Sequence, residues 1–226
     1  SIKPKILLMA KLPPPINGAT VMSEKVASSK LLKKKFNLSI IRVSFSDQIK
    51  DMGSFSFTKV FKSILYIFKL IYRLIIFRPQ LVYFTISKSG IPFFRDLVYV
   101  TIIKIFGPKI IFHTHGRGIK EIINSNKLMK SLYKYAFNKE EVIVLSKNLI
   151  SDVEDVHHKN PFVVMYGIKD YYNNFKPLKK IQNDKPKILF LSNIAIEKGA
   201  YDFVDALFIV KNDGYDFTAN VIGSPG

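Results

Sequence analysis

The stretch Gly107-Pro108-Lys109-Ile110-Ile111-Phe112-His113-Thr114-His115-Gly116 has the build of a buried strand and its exit loop. A breaker pair leads in, a short apolar run follows, and polar residues with a glycine lead out. A run this short without polar alternation suits a strand covered on both faces, as in a parallel sheet. Reading outward, the same pattern recurs at residues 6–10, 38–43, 81–86, 142–145 and 162–165. Between these runs lie helical patterns at about 20–35, 59–77, 93–106, 119–137 and 147–155. Thr20 or Ser23 is placed to cap the first helix, and Arg78-Pro79 ends the one before strand 81–86. From Ile119 onward, Ile122, Ile123, Met129, Leu132, Tyr133, Ala136 and Phe137 recur along one helical face. Strands alternating with helices predict an α/β fold, a Rossmann-like parallel sheet.

After Asp170 the character changes. Residues 171–186 are polar, rich in Lys and Asn, and carry Pro177 and Pro186, which reads as a linker. The pattern then restarts with a strand at 187–191, a helix at 199–211 and a strand at 217–222. One βαβ unit leaves a sheet edge bare and cannot cover both faces of its sheet. The expected organisation is a first domain over 1–170, a linker over 171–186, and the beginning of a second, incomplete Rossmann-like unit over 187–226.

Composition narrows the function. The 226 residues carry 35 Lys plus Arg against 17 Asp plus Glu, a net charge of +18, and 48% are hydrophobic, which excludes intrinsic disorder. No cysteine occurs, so thiol catalysis, disulfides and thiolate zinc sites are ruled out. Only five apolar residues follow Lys5, too few for a signal-peptide core. The lysine excess predicts attraction to anionic lipid, polyanions or phosphorylated ligands. It has one local expression: within 59–77, Lys59, Lys62, Lys69 and Arg73 share a narrow stripe with Tyr66, and the rest of the circumference is apolar. The stripe fits a crossover helix with snorkelling lysines, or a basic edge resting on anionic headgroups, and the two are compatible.

Candidate chemistry gathers at strand ends. No G-x-G-x-x-G follows the first strand, and no G-x-x-x-x-G-K-[ST] occurs, so dinucleotide and P-loop readings lose their support. Pro13-Pro14-Pro15-Ile16-Asn17-Gly18 follows instead, and Gly18 at the foot of a helix would let backbone amides approach an anion. His113 and His115, at i and i+2, leave the sheet on one face, where open α/β sheets bind ligands. A metal would want a third ligand; His157-His158 lie in a polar connection, so no metal site is expected. Lys198-Gly199, opening a helix after a strand, form a candidate anion site.

In order, these motifs form a pattern. A Pro-Pro-x-x-x-Gly loop (13–18) is followed by Ser87-Lys88-Ser89-Gly90, Phe112-His113-Thr114-His115-Gly116 and Val142-Ile143-Val144-Leu145-Ser146. Tyr166-Gly167-Ile168 comes next, then Leu189-Phe190-Leu191-Ser192-Asn193 with Lys198-Gly199, and Asp202-Phe203-Val204 before Ala206. The series resembles retaining glycosyltransferases of family 4, of the GT-B type, and is similar to bacterial enzymes of O-antigen and capsular polysaccharide synthesis. The resemblance implies two facing Rossmann-like domains with the active site in their cleft. The N-terminal domain would hold a lipid-linked or polysaccharide acceptor, the C-terminal domain a nucleotide-diphosphate sugar serving as substrate, with no cofactor or metal. It implies hexosyl transfer with retention, and a cytoplasmic enzyme peripheral at the inner face of the plasma membrane.

Residue by residue, the resemblance gives His113 a catalytic position beside the reacting sugar. Gly18, Asn193, Lys198 and Gly199 fall on the donor side, with Lys198 neutralising the diphosphate. Asn17, Ser87, Ser89, His115 and Arg117 are acceptor-side candidates, and Lys59, Lys62, Lys69 and Arg73 the membrane contact. The chain departs from the family at Asn193, usually an arginine, and at Tyr166, usually an asparagine. The family's paired glutamates would lie beyond Gly226, so the chain alone is expected to be inactive. The rival class is a non-enzymatic basic α/β module binding anionic membrane or nucleic acid. Against a nucleic-acid partner, the lysines are spread along the chain without a recognition-helix or RNA signature.

Overall fold

A computed structural model describes residues 3–14, 16–45, 57–167, 185–194 and 196–223. The chain divides into two compact units, Ser1–Gly167 and Ile168–Gly226. The linker expected at 171–186 lies outside the described residues except for Lys185 and Pro186.

The first unit is a Rossmann-like α/β domain whose sheet contains six strands. They are β1 (Lys5–Lys11), β2 (Asn37–Val43), β3 (Leu81–Phe84), β4 (Lys109–His113), β5 (Glu141–Val144) and β6 (Phe162–Val163). All pair in parallel, in the order β2-β1-β3-β4-β5-β6. Leu7, Leu8, Met9 and Ala10 are all buried, because both faces of β1 are covered. Pleat alternation divides the core. Leu7, Met9, Val82, Phe84, Ile110 and Phe112 face helices α3 (Phe57–Ile76), α4 (Gly90–Phe106) and α6 (Lys127–Phe137). Leu8, Ala10 and Tyr83 face the other way, onto Ala27 of α1 (Gly18–Ser28).

Two expected helices are broken by polar caps. The first starts at Gly18 and not at Thr20 or Ser23, because Asn17 Oδ1 accepts from Thr20 N at 3.0 Å while Thr20 Oγ1 accepts from Asn17 N at 3.0 Å. This reciprocal box satisfies two helix-end groups at once. Ser29 then ends α1 and caps α2 (Lys30–Lys35), its Oγ accepting from Leu32 N. Likewise the helix expected over 119–137 is α5 (Ile119–Ser125) followed by α6, because Asn126 accepts from Leu128 N and Met129 N. A short polar side chain thus outcompeted continuation of the helix. The helix expected at 147–155 is a 3-10 turn over Lys147–Asp152.

Helix α3 packs on the sheet as the crossover between β2 and β3, as expected, but through its narrower face. Its sheet-facing side is Ser63, Tyr66, Ile67, Leu70 and Leu74, and Tyr66 is pinned to the end of β2 by accepting from Ser44 N at 3.0 Å and donating to Ser44 O at 3.2 Å. Lys59 and Lys62 are half-buried, while Lys69 and Arg73 are exposed. The broad apolar face, with Phe57, Phe61, Ile64, Phe68, Tyr72 and Ile75, points away from the core.

The second unit pairs β7 (Lys187–Leu191) and β8 (Thr218–Ile222) in parallel around α7 (Ala200–Asn212). Phe190 stacks on Phe203 at 5.0 Å, while Leu189, Leu191, Val221 and Ile222 stay exposed.

Buried Asp152 closes the far side of the β4 exit loop. Its carboxylate accepts from Gly118 N, Ile119 N and Lys120 N at 3.0–3.2 Å, capping α5 from a distant segment. Asp152→Ala leaves these donors without a partner and is expected to lower unfolding stability by about 2–3 kcal/mol, the scale of losing charged hydrogen bonds. Urea denaturation measures it; a change below about 0.5 kcal/mol would show that the loop does not depend on this carboxylate.

Candidate functional site

The strand order locates a crevice. From β1 the chain moves to β2 on one side, then crosses back to β3 on the other. The loops after β1 and β3 therefore leave the sheet in opposite directions, and the gap between them is where such sheets take ligands. A cavity of about 450 Å3 occupies that place, lined by Lys11, Leu12, Thr85, Ile86 and Ser87 from the two strand ends and by residues of α1, α3 and α4. Part of the lining is polar, with Asn17, Thr20, Ser23, Thr85 and Ser87, and part is apolar, with Val43, Phe45, Val60, Ile86, Ile91 and Pro92. The Ser23 hydroxyl is buried in this lining with no hydrogen-bond partner among the described residues.

A charged network underlies the polar part of the lining. Lys11 Nζ donates to Ser87 Oγ at 2.6 Å, and Ser87 donates from its N and Oγ to Asp96 Oδ2 at 2.8 and 2.5 Å. Asp96, on α4, also accepts from Arg95 Nε and Nη2 at 2.9 and 2.6 Å, and the Arg95 guanidinium lies over the Phe45 ring at 3.8 Å. Burial lowers the pKa of Lys11, partly offset by attraction to Asp96 and reinforced by repulsion from Arg95. A buried carboxylate is held here only because a cation and two donors converge on it.

The histidines stand at the carboxyl end of β4. His113 is buried on the same sheet face as Tyr83, since Tyr83 pairs with Ile111 and His113 lies two residues on. The Tyr83 hydroxyl and His113 Nδ1 are 2.5 Å apart, and Nε2 is buried without a partner among the described residues. The His115 ring stacks on that of His113 with centroids 4.3 Å apart, and its Nδ1 is hydrogen-bonded to the Tyr166 hydroxyl. Burial brings the pKa of His113 down to about 4. His115 falls to about 3, through burial first and then the nearby His113, Lys11 and Lys88. Both rings are therefore neutral at physiological pH.

Of the acceptor-side candidates, Asn17, Ser87, Ser89 and His115 all line the cavity. Arg117 does not: its side chain is 78% exposed and faces Glu121 at 3.9 Å. The backbone carbonyl of Arg117 instead accepts from Lys88 Nζ, whose ammonium lies where a Cβ on Gly116 would approach to 3.2 Å. With φ at +121° and +127°, Gly116 and Gly118 hold a loop path that side chains disfavour. Gly18 opens α1 with free space around its Cα. In the second unit, Lys198 is exposed at the end of a 3-10 turn (Ile196–Lys198), and Gly199, at φ +72°, precedes α7. Among the described residues, no group of three His, Asp or Glu is arranged to hold a metal ion.

Sequence reasoning missed Lys11, Tyr83, Arg95, Asp96 and Tyr166. Lys11 carried a signal, being a lysine that follows the apolar run 6–10 of its strand, and Asp96 another, as a lone acid in the apolar run of α4. Tyr83 carried none, because an aromatic in a strand is ordinary core. A scan against models of protein families and a search of curated proteins find no match to this chain.

The depressed histidines have a signed consequence. Both rings bind protons more weakly folded than unfolded, so between about pH 6.5 and 4 the unfolded state takes up protons that the folded state refuses. Folding stability should therefore fall as pH drops through that window. Imidazole resonances followed by NMR should show His113 and His115 uncharged down to pH 5; a midpoint near 6.5 for either would contradict their burial.

Proposed function

We propose that the chain belongs to a retaining GT-B glycosyltransferase. In this reading it moves a sugar from a nucleotide-diphosphate donor to a lipid-linked or polysaccharide acceptor during synthesis of a bacterial surface polysaccharide. The observation that carries the reading is the switch-point cavity, with Asn17, Ser87, Ser89 and His115 in its lining and His113 beside it. Its hydroxyls and amide match a ligand made of hydroxyl groups, and its apolar residues match a sugar face or a lipid stem. In the transfer, the bond from the anomeric carbon to the diphosphate oxygen breaks and the acceptor oxygen bonds to that carbon. The acceptor proton leaves with the diphosphate. A neutral His113 contributes a polar contact to the sugar as charge develops, and supplies no positive charge of its own. Compensation of the diphosphate falls to Lys198 and the amides that open α7 at Gly199.

A panel of nucleotide-diphosphate sugars and the matching nucleosides, titrated into the chain, tests this. At least one sugar nucleotide should bind more tightly than inorganic diphosphate. Lys198→Ala should weaken it roughly 10-fold while leaving the nucleoside unchanged, as expected when one charge-assisted contact is lost. Failure of every sugar nucleotide to exceed inorganic diphosphate overturns the reading.

The acceptor half of the reading includes contact with an anionic bilayer at the cytoplasmic surface. Among the described residues, no helix is long and apolar enough to cross a membrane. What supports a peripheral contact is the outward face of α3, where Phe57, Phe61, Ile64, Phe68 and Tyr72 are exposed and flanked by Lys69 and Arg73. Beside it, α4 also turns Ile91, Phe94, Val98 and Ile105 outward. An apolar face edged by cations is the build of a helix lying in the interfacial plane. Each cation adds about 1 kcal/mol near an anionic surface, so the exposed Lys69 and Arg73 together raise partitioning roughly 10–10²-fold, and the half-buried Lys59 and Lys62 add less.

Sedimentation with vesicles separates the two contributions. Changing those four residues to Gln should abolish the preference for anionic over neutral vesicles. Phe61→Ser with Phe68→Ser should remove the binding that survives high salt, where charge is screened within a few ångströms. Equal binding by the parent and both variants would contradict a contact through α3.

A further inference from the structure

We propose that Tyr83 is a positioning residue. Its hydroxyl donates to Nδ1 of His113 and so fixes the ring as the neutral Nε2–H tautomer. The argument is one of satisfying buried groups. Tyr83 and His113 are both buried, and their hydroxyl-to-Nδ1 separation is 2.5 Å. Two arrangements of the proton are possible.

If the ring carried its proton on Nδ1 and donated to Tyr83, the tyrosine O–H would need another acceptor. None is hydrogen-bonded to it among the described residues, and the bare Nε2 is also without a partner. Two buried polar groups would then be orphaned. If Tyr83 donates instead, its hydroxyl and Nδ1 satisfy each other and only Nε2–H is left over. Leaving a buried polar group unsatisfied is costly, so the second arrangement wins. Burial also pushes the tyrosine pKa up, which keeps that O–H available as a donor.

The fold sets up the contact. Tyr83 pairs with Ile111 across β3 and β4, and His113 lies two residues farther on the same face, a diagonal spacing that a long aromatic side chain spans. The neighbouring His115 provides an internal comparison. Its Nδ1 meets the Tyr166 hydroxyl, but Tyr166 stands at the surface, where solvent can satisfy the phenol in either arrangement. The ring of His115 is therefore not locked by the same argument. Which ligand meets the leftover N–H rests on the sugar-transfer reading, where it is a hydroxyl or ring oxygen of the sugar. The tautomer itself does not rest on that reading.

The test is long-range proton–nitrogen NMR of the chain labelled with 15N-histidine, with His113 identified by the signal lost in His113→Gln. The expected result at pH 7 is a single tautomer for His113, with Nε2 protonated by at least about tenfold over Nδ1. In Tyr83→Phe, which keeps the ring and removes only the donor, that preference should fall roughly tenfold, the scale of one lost hydrogen bond. Protonation at Nδ1 in the parent overturns the proposal without need of any variant, and so does an undiminished Nε2–H preference in Tyr83→Phe. Because no sugar ligand is present, these outcomes are independent of whether sugar nucleotides bind.

Discussion

Reversal of strand order at β1 is the constraint on which the rest of the first unit depends. Parallel strands need crossovers, and crossovers of one hand place successive strands outward from where the chain starts. When the chain returns past β1 to lay down β3, the two exit loops diverge and leave a space between them. The cavity is that space. The polar residues that line it sit where strand ends release the chain from the ladder, at Lys11, Thr85 and Ser87, while His113 ends the next strand, stacked on His115. Their neighbours then hold them: Asp96 from α4 grips Ser87, Tyr83 grips His113, and Asn17 ties off α1 at the rim.

Much of the fold was legible because burial on both faces leaves short apolar runs, and every strand expected from such a run is present. What was not legible was decided by single polar side chains. Asn17, Ser29 and Asn126 each bond a nearby backbone amide, which resets a helix start that apolar periodicity alone places elsewhere. The site was legible in part for a similar reason. His113, His115 and Ser87 advertise themselves as polar residues at the ends of apolar runs, whereas Tyr83 looks like core, and Arg95–Asp96 becomes a feature only when α4 lies beside β3. Arg117 shows the converse. Its place just past a strand end suggested an acceptor contact, yet its side chain is exposed beside Glu121 and its carbonyl accepts from Lys88.

Helix α3 illustrates how periodicity shows amphipathic character without showing which face meets the core. A wide apolar arc normally marks the core side. Here the narrow side with Tyr66, Leu70 and Leu74 meets the sheet, and the wide arc is left outward beside two exposed cations. A surface seldom carries so many large apolar residues together, and it is on this arc that the proposed membrane contact rests. Its N-terminal turn also contributes Val60 and Ser63 to the cavity lining, which brings the proposed lipid surface and the proposed acceptor site onto one helix.

The most direct test of a sugar site at the strand-order reversal is to follow all four histidines by NMR while nucleotide-diphosphate sugars are added to the chain. The account predicts that a binding sugar nucleotide moves the ring resonances of His113 and His115 and leaves His157 and His158 in place. The same nucleoside diphosphate without its sugar should move the first pair far less. Binding that shifts His157 and His158, or that leaves His113 and His115 unmoved, would contradict it.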